Sequence, residues 1–127
     1  MKYKILIVDD SKLARMAVIK ALGALRPDWT PIEASSAEEA LGQVQKSSPD
    51  IALLDFNMPV RDGLDLAADL RQSRPDMPVG VISANHQRGV LDRTNAVGAT
   101  FLPKPLTEEV LGRFLSVAEQ RLEKARK

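Results

Sequence analysis

Five short apolar runs alternate along the chain with five longer stretches of helical spacing. The runs are Ile5-Leu6-Ile7-Val8, a weaker one around Ile32, Ile51-Ala52-Leu53-Leu54, Val79-Gly80-Val81-Ile82 and the brief Thr100-Phe101-Leu102. Their apolarity is continuous rather than alternating, which marks strands covered on both faces, as in a parallel sheet. The second run differs, because Pro31 and Glu33 suit an edge strand rather than a central one. Between the runs, Ala14, Val18, Ala21, Leu22 and Leu25 share one helical face, and Pro27 follows where that helix should stop. Ser36 with Glu39 three residues later reads as a capping box opening a helix to about Lys46. Leu66, Ala67 and Leu70 line a third helix that Pro75 should terminate. A fourth, from about Gln87 to Val97, is thin in apolar residues and stops at Gly98, a good C-terminal cap. The fifth has the strongest stripe, formed by Val110, Leu111, Phe114, Leu115, Ala118 and Leu122. Glu108 and Glu109 open it and Arg121, Lys124, Arg126 and Lys127 close it, which matches the helix dipole at both ends.

A strand–helix order repeated five times implies a parallel sheet with helices on both faces. In such sheets ligands sit at the carboxyl ends of the strands, near the point where strand order reverses. The length, 127 residues, is that of one domain able to bury a core without a staple. The absence of cysteine excludes disulfides, thiolate nucleophiles and cysteine-based metal sites. Eighteen basic residues against seventeen acidic ones leave a net charge of +1, no electrostatic footprint for nucleic acid or an anionic membrane. The apolar runs are too short to span a bilayer, and the opening segment lacks the apolar region of an export signal, so the expected compartment is the cytoplasm. Neither G-x-G-x-x-G nor G-x-x-x-x-G-K-[ST] is present, which argues against nucleotide binding.

The chemistry-bearing residues fall at strand ends. The first strand ends at Asp9-Asp10, the third at Asp55 and the fourth at Ser83, while the fifth leads into Lys104. Asp10, Asp55, Ser83 and Lys104 are separated by 45, 28 and 21 residues, each read as helix plus strand, so these residues should meet at one edge of the sheet. Crowded carboxylates repel one another, and a hard divalent cation such as Mg²⁺ with oxygen ligands relieves the repulsion. The ammonium and the hydroxyl add a cation and a donor for an anion. Carboxylates, metal, ammonium and hydroxyl together suit phosphoryl transfer to a carboxylate nucleophile.

Asp9-Asp10-Ser11-Lys12, Leu54-Asp55-Phe56-Asn57-Met58-Pro59 with Asp62-Gly63, Ser83-Ala84 and Lys104-Pro105 together resemble the response-regulator receiver domain of bacterial two-component systems, especially its chemotaxis-type members. The likeness covers essentially the whole chain. It implies a flavodoxin-like, doubly wound α/β fold with five parallel strands in the order 2-1-3-4-5. By the same resemblance Asp55 is the phosphoacceptor. Asp9, Asp10 and Asp55, with the backbone carbonyl of Asn57, are the ligands of Mg²⁺ (or Mn²⁺). Lys104 and Ser83 bind the phosphate, and Phe101 is the aromatic that changes rotamer with the switch. Pro59, Gly63 and Pro105 are structural, Gly63 by permitting a backbone bend and Pro105 by following a bond that is usually cis. His86 and Trp29 have blander readings, a solvated loop residue and loop packing.

Two positions depart from the commonest family pattern, and two more bear on phosphate lifetime. Ser83 stands for a threonine and Phe101 for the tyrosine of chemotaxis members, while Asn57 and Asn85 occupy the two positions that tune phosphate lifetime. Neither asparagine is bulky or aliphatic, which implies a short or intermediate lifetime. The resemblance implies a histidine kinase or histidine phosphotransfer protein as donor, and a target protein on the fourth helix, fifth strand and fifth helix. It implies no DNA binding, no membrane insertion, a monomer or weak dimer, and no turnover of external substrates. The expected organisation is a single receiver over 1–127 without an output domain. Its alternatives are a receiver excised from a longer multidomain regulator or hybrid kinase, and a non-phosphorylated pseudo-receiver. A phosphatase of the haloacid-dehalogenase type is disfavoured, because it needs a second aspartate where Asn57 stands.

Overall fold

The computed structural model describes residues 3–58, 61–84 and 87–125. Five strands alternate with five helices: β1 Lys4–Val8, α1 Lys12–Leu25, β2 Thr30–Ala34, α2 Ala37–Ser47, β3 Ile51–Asp55, α3 Gly63–Ser73, β4 Val79–Ser83, α4 Arg88–Ala96, β5 Thr100–Pro103 and α5 Glu108–Ala125. The strands form one parallel sheet in the order β2-β1-β3-β4-β5, as the resemblance implied. β2 is an edge strand, and its Pro31 and Glu33 are exposed.

Alternate residues of each central strand enter two separate cores, which is why the runs are apolar throughout. Leu6, Val8, Ala52, Leu54, Val79 and Val81 pack on one face with Ala40, Val44, Leu66, Ala67 and Leu70 of α2 and α3. Ile5, Ile7, Ile51, Leu53 and Ile82 pack on the other with Leu22 of α1 and Leu111, Phe114, Leu115 and Ala118 of α5. Gly80 makes room on that face, because a Cβ there would lie 3.2 Å from the Phe114 ring and 2.8 Å from Leu102.

Helix ends follow local chemistry. Ser11, Ser36 and Asp62 are N-caps whose side chains accept the N–H of Ala14, Glu39 and Asp65. The reciprocal arm of the predicted capping box is displaced by one residue, since the Glu39 carboxylate takes the N–H of Ser35 rather than of Ser36. α1 stops before Pro27 and α3 before Pro75, each with an arginine as C-cap. Gly98, at φ +77°, closes α4 in the left-handed conformation that favours glycine, with the Ala99 N–H returning to the Thr94 carbonyl.

Trp29 corrects the sequence reading. Its place in the chain is a turn, but its ring is 5% exposed and belongs to the core between α1 and α5. It stands edge-on to Tyr3 at 5.3 Å, with the Arg26 guanidinium 5.6 Å over its centroid. A large ring next to a strand end gains more by burial than by covering prolines. Among the described residues, no helix is long and apolar enough to cross a membrane.

Candidate functional site

The carboxyl edge of the sheet gathers the residues that the spacing pointed to. Asp9 and Asp10 follow β1, and Asp55 closes β3 with its side chain buried. One carboxylate oxygen from each of the three lies within 4.8 Å of the others. Lys104, just past β5, brings its Nζ to 2.7 Å from Asp55 Oδ1. The Lys104–Pro105 bond is cis, as expected. Ser83 is fully buried at the end of β4, and its carbonyl accepts the Lys104 N–H at 3.0 Å, which joins the fourth and fifth strand ends beside Asp55.

Each position has a local cause. Asp9 donates its N–H to the Ala34 carbonyl and accepts the Ser11 N–H on Oδ1, so the chain turns from β1 straight into α1. Asp55 pairs in register with Ile82, and the next residue, Phe56, donates to the Ile82 carbonyl at 2.9 Å. Gly63 then returns its N–H to the Phe56 carbonyl. The reason for glycine there differs from the backbone bend expected from sequence. A Cβ on Gly63 would lie 2.4 Å from the Asp55 carbonyl oxygen, so the start of α3 abuts the backbone of Asp55 as only glycine allows.

Burial, with help from the neighbouring Asp55 and Asp10 charges, raises the Asp9 pKa above its usual value, against the pull of the Ser11 N–H and of Lys104. Three carboxylates with one lysine leave net negative charge in a concave site. Hard oxygen donors at this spacing would suit a small divalent cation. Beside Asp9 and Lys104 opens a cavity of about 630 Å³ with an apolar wall from Ala14, Ala17, Val18, Ile82 and Leu106.

Asn57 is exposed in the loop after Asp55, with Met58 buried beneath it. Phe101 is half-buried on β5 opposite Val81 in the register. Pro59, Asn85 and His86 lie outside the described residues. Sequence reasoning missed Arg15, whose guanidinium bonds the Asp9 carbonyl and pairs with Glu33. Its only signal was a basic residue one helical turn past the Ser11 cap.

A family model for the response regulator receiver domain matches residues 5–115. The chain belongs to the response regulator receiver family. Receiver domains are signalling modules of two-component systems, which act through phosphorylation and work with kinases or phosphotransfer proteins. The chain is 36% identical to a protein-glutamate methylesterase/protein-glutamine glutaminase of Trichodesmium erythraeum over 82% of its own length and 30% of the relative's. It is also 36% identical to the positive alginate biosynthesis regulatory protein of Pseudomonas aeruginosa, over 91% of this chain and 47% of that one. This receiver therefore spans about half, or less, of the curated relatives it matches. Among solved structures, the Vibrio cholerae chemotaxis protein CheY4 superposes with a TM-score of 0.84 at 29% identity, covering 93% of this chain and 99% of that one. A receiver domain from Clostridium thermocellum, at 24% identity and a TM-score of 0.88, shares the fold.

Proposed function

We propose that this receiver is a switch operated by phosphorylation of Asp55, the phosphoryl group coming from a histidine kinase or a histidine phosphotransfer protein. The observation that carries the reading is the 2.7 Å pairing of Lys104 with Asp55 amid three converging carboxylates. Asp9, Asp10 and Asp55 would hold Mg²⁺ or Mn²⁺, together with the Asn57 backbone carbonyl. The cation supplies charge neutralisation for the incoming phosphoryl oxygens. With Lys104 on one Asp55 oxygen, the other is left to attack. It forms a bond to phosphorus as the phosphorus–nitrogen bond of the donor histidine breaks, and the imidazole departs with the electron pair. Lys104 then pairs with a phosphate oxygen, and the Ser83 hydroxyl donates to another.

Contacts to Ser83 and Lys104 that exist only in the closed arrangement shift the population toward it by their differential energy. Phe101, half-buried one strand away, turns inward as the Ser83 loop closes. The altered surface is α4, β5 and α5, and a target protein reads it. Gly63, at the start of α3, and Pro105, after Lys104, shape the backbone that holds the parts. The domain works as a single receiver over 1–127 in the cytoplasm, as a monomer or weak dimer, and turns over no external substrate. Asn57 and Asn85 are polar residues rather than bulky or aliphatic ones, which favours a short or intermediate phosphoryl lifetime; decay lasting many hours after donor removal would contradict that part.

Incubation with Mg²⁺ and acetyl phosphate, read by intact mass, tests the core of the proposal. The expected result is a gain of one phosphoryl group that disappears with EDTA and in Asp55→Ala. A gain that survives either change would place the phosphate elsewhere and defeat the assignment.

A further inference from the structure

The Arg15 guanidinium bonds both the turn that carries Asp9 and Asp10 and the strand beside it. The backbone N–H of Arg15 donates to the carbonyl of Ser11 at 3.1 Å. Its Nη1 donates to the Asp9 carbonyl oxygen at 2.6 Å, and its Nε to Glu33 Oε1 at 2.9 Å. The side chain is 14% exposed, so the planar fork of the guanidinium is held rather than waving in solvent. The Asp9 N–H is fixed from the other side by the Ala34 carbonyl. Both backbone groups of Asp9 are thus pinned, one directly by β2 and one through Arg15, which Glu33 of β2 holds in turn.

We propose that Arg15, braced by Glu33, is a positioning residue for a divalent cation: it fixes the Asp9–Asp10 turn and so the direction in which those carboxylates meet Asp55. The inference rests on the reading that these three aspartates hold Mg²⁺. Groups behind metal ligands set ligand orientation, and their loss typically costs 10–100-fold in affinity. Charge alone argues the other way. Replacing Arg15 by a neutral residue removes a cation near an acidic site and frees the Glu33 carboxylate, so simple electrostatics predicts tighter Mg²⁺ binding. The two accounts differ in sign, which makes the matter decidable.

Mg²⁺ is titrated into the whole chain and followed by amide NMR shifts, for the wild type, Arg15→Met and Arg15→Lys. The Mg²⁺ concentration for half-maximal phosphorylation by acetyl phosphate is measured alongside. Positioning predicts about tenfold weaker Mg²⁺ binding in Arg15→Met, with the half-maximal concentration moving further than the saturated rate. Arg15→Lys, which keeps the charge but loses the fork, falls between the two. Affinity unchanged or tighter in Arg15→Met, with only a lower melting temperature, would reduce Arg15 to a structural strut and overturn the proposal. If Arg15→Met does not fold, Arg15→Lys decides, since wild-type affinity there also overturns it. Wild-type protein without Mg²⁺-dependent shifts around Asp9, Asp10 and Asp55 would overturn the metal reading itself, and this inference with it.

Discussion

α5 and α4 flank the same edge strand and are held in very different ways. α5 runs for 18 residues and buries Leu111, Phe114, Leu115, Ala118 and Leu122. It is tied to the rest of the molecule at several points: Glu119 and Ser116 meet Arg26 at the end of α1, and Glu123 accepts the Tyr3 hydroxyl. α4 runs for nine residues and buries only Val90 and Thr94, one of them polar, with its hydroxyl on the Val90 carbonyl at 2.7 Å. Its N-cap is Gln87, outside the Ser, Thr, Asp and Asn set used by α1, α2 and α3. The difference teaches where stability and movement are placed. One helix anchors the second core, while its neighbour has little apolar area to lose and can shift at small cost.

The largest expected effect separates the two helices directly. Phe114→Ala removes a ring packed over Gly80 and should cost about 4 kcal/mol in urea unfolding, against about 2 kcal/mol for Val90→Ala in α4. Equal costs, or the reverse order, would break the contrast.

Gly63→Ala comes next and probes the fixed side of the site. The added methyl meets backbone rather than a side chain that could yield, so α3 must move off Asp55. A loss of about 2–3 kcal/mol is expected, with weaker Mg²⁺ binding; an alanine tolerated at wild-type stability would show that the close approach is not obligatory.

The smallest effect concerns Asp9. Its folded-state pKa is raised above the usual 3.8, so between the two values the folded state binds more protons than the unfolded one. Stability of the metal-free protein then falls as pH rises through that window. Asp9→Asn keeps the acceptor for Ser11 and removes the charge, so it should raise the metal-free melting temperature by about 2 °C near neutral pH, a gain kept small by solvent screening. It should also flatten the acid-side slope. A lower melting temperature in Asp9→Asn would mean that the carboxylate is net stabilising where it stands.

Much of this was legible in the sequence because the fold places function at strand ends. Continuous apolar runs with Pro31 and Glu33 in the odd one located the sheet and one edge, and the intervals among Asp10, Asp55, Ser83 and Lys104 brought the site together. What escaped depended on approaches in space. Gly63 is glycine because of the Asp55 carbonyl, which no local pattern records. Trp29 entered the core from a turn because Tyr3, distant by 26 positions, offers it a partner. Arg15 reads on a helical wheel as a polar border residue, and its meaning depends on Glu33 across a strand and a turn. The strand order itself followed from the family resemblance and not from residue pattern.

The most direct test of the switch is hydrogen exchange read by mass spectrometry, with Mg²⁺ alone and with Mg²⁺ plus beryllofluoride as a phosphate mimic. The account predicts altered protection in α4 and at Phe101 of β5, with the buried stripe of α5 exchanging as before. Changes confined to α2 and β2, or uniform across the domain, would contradict it.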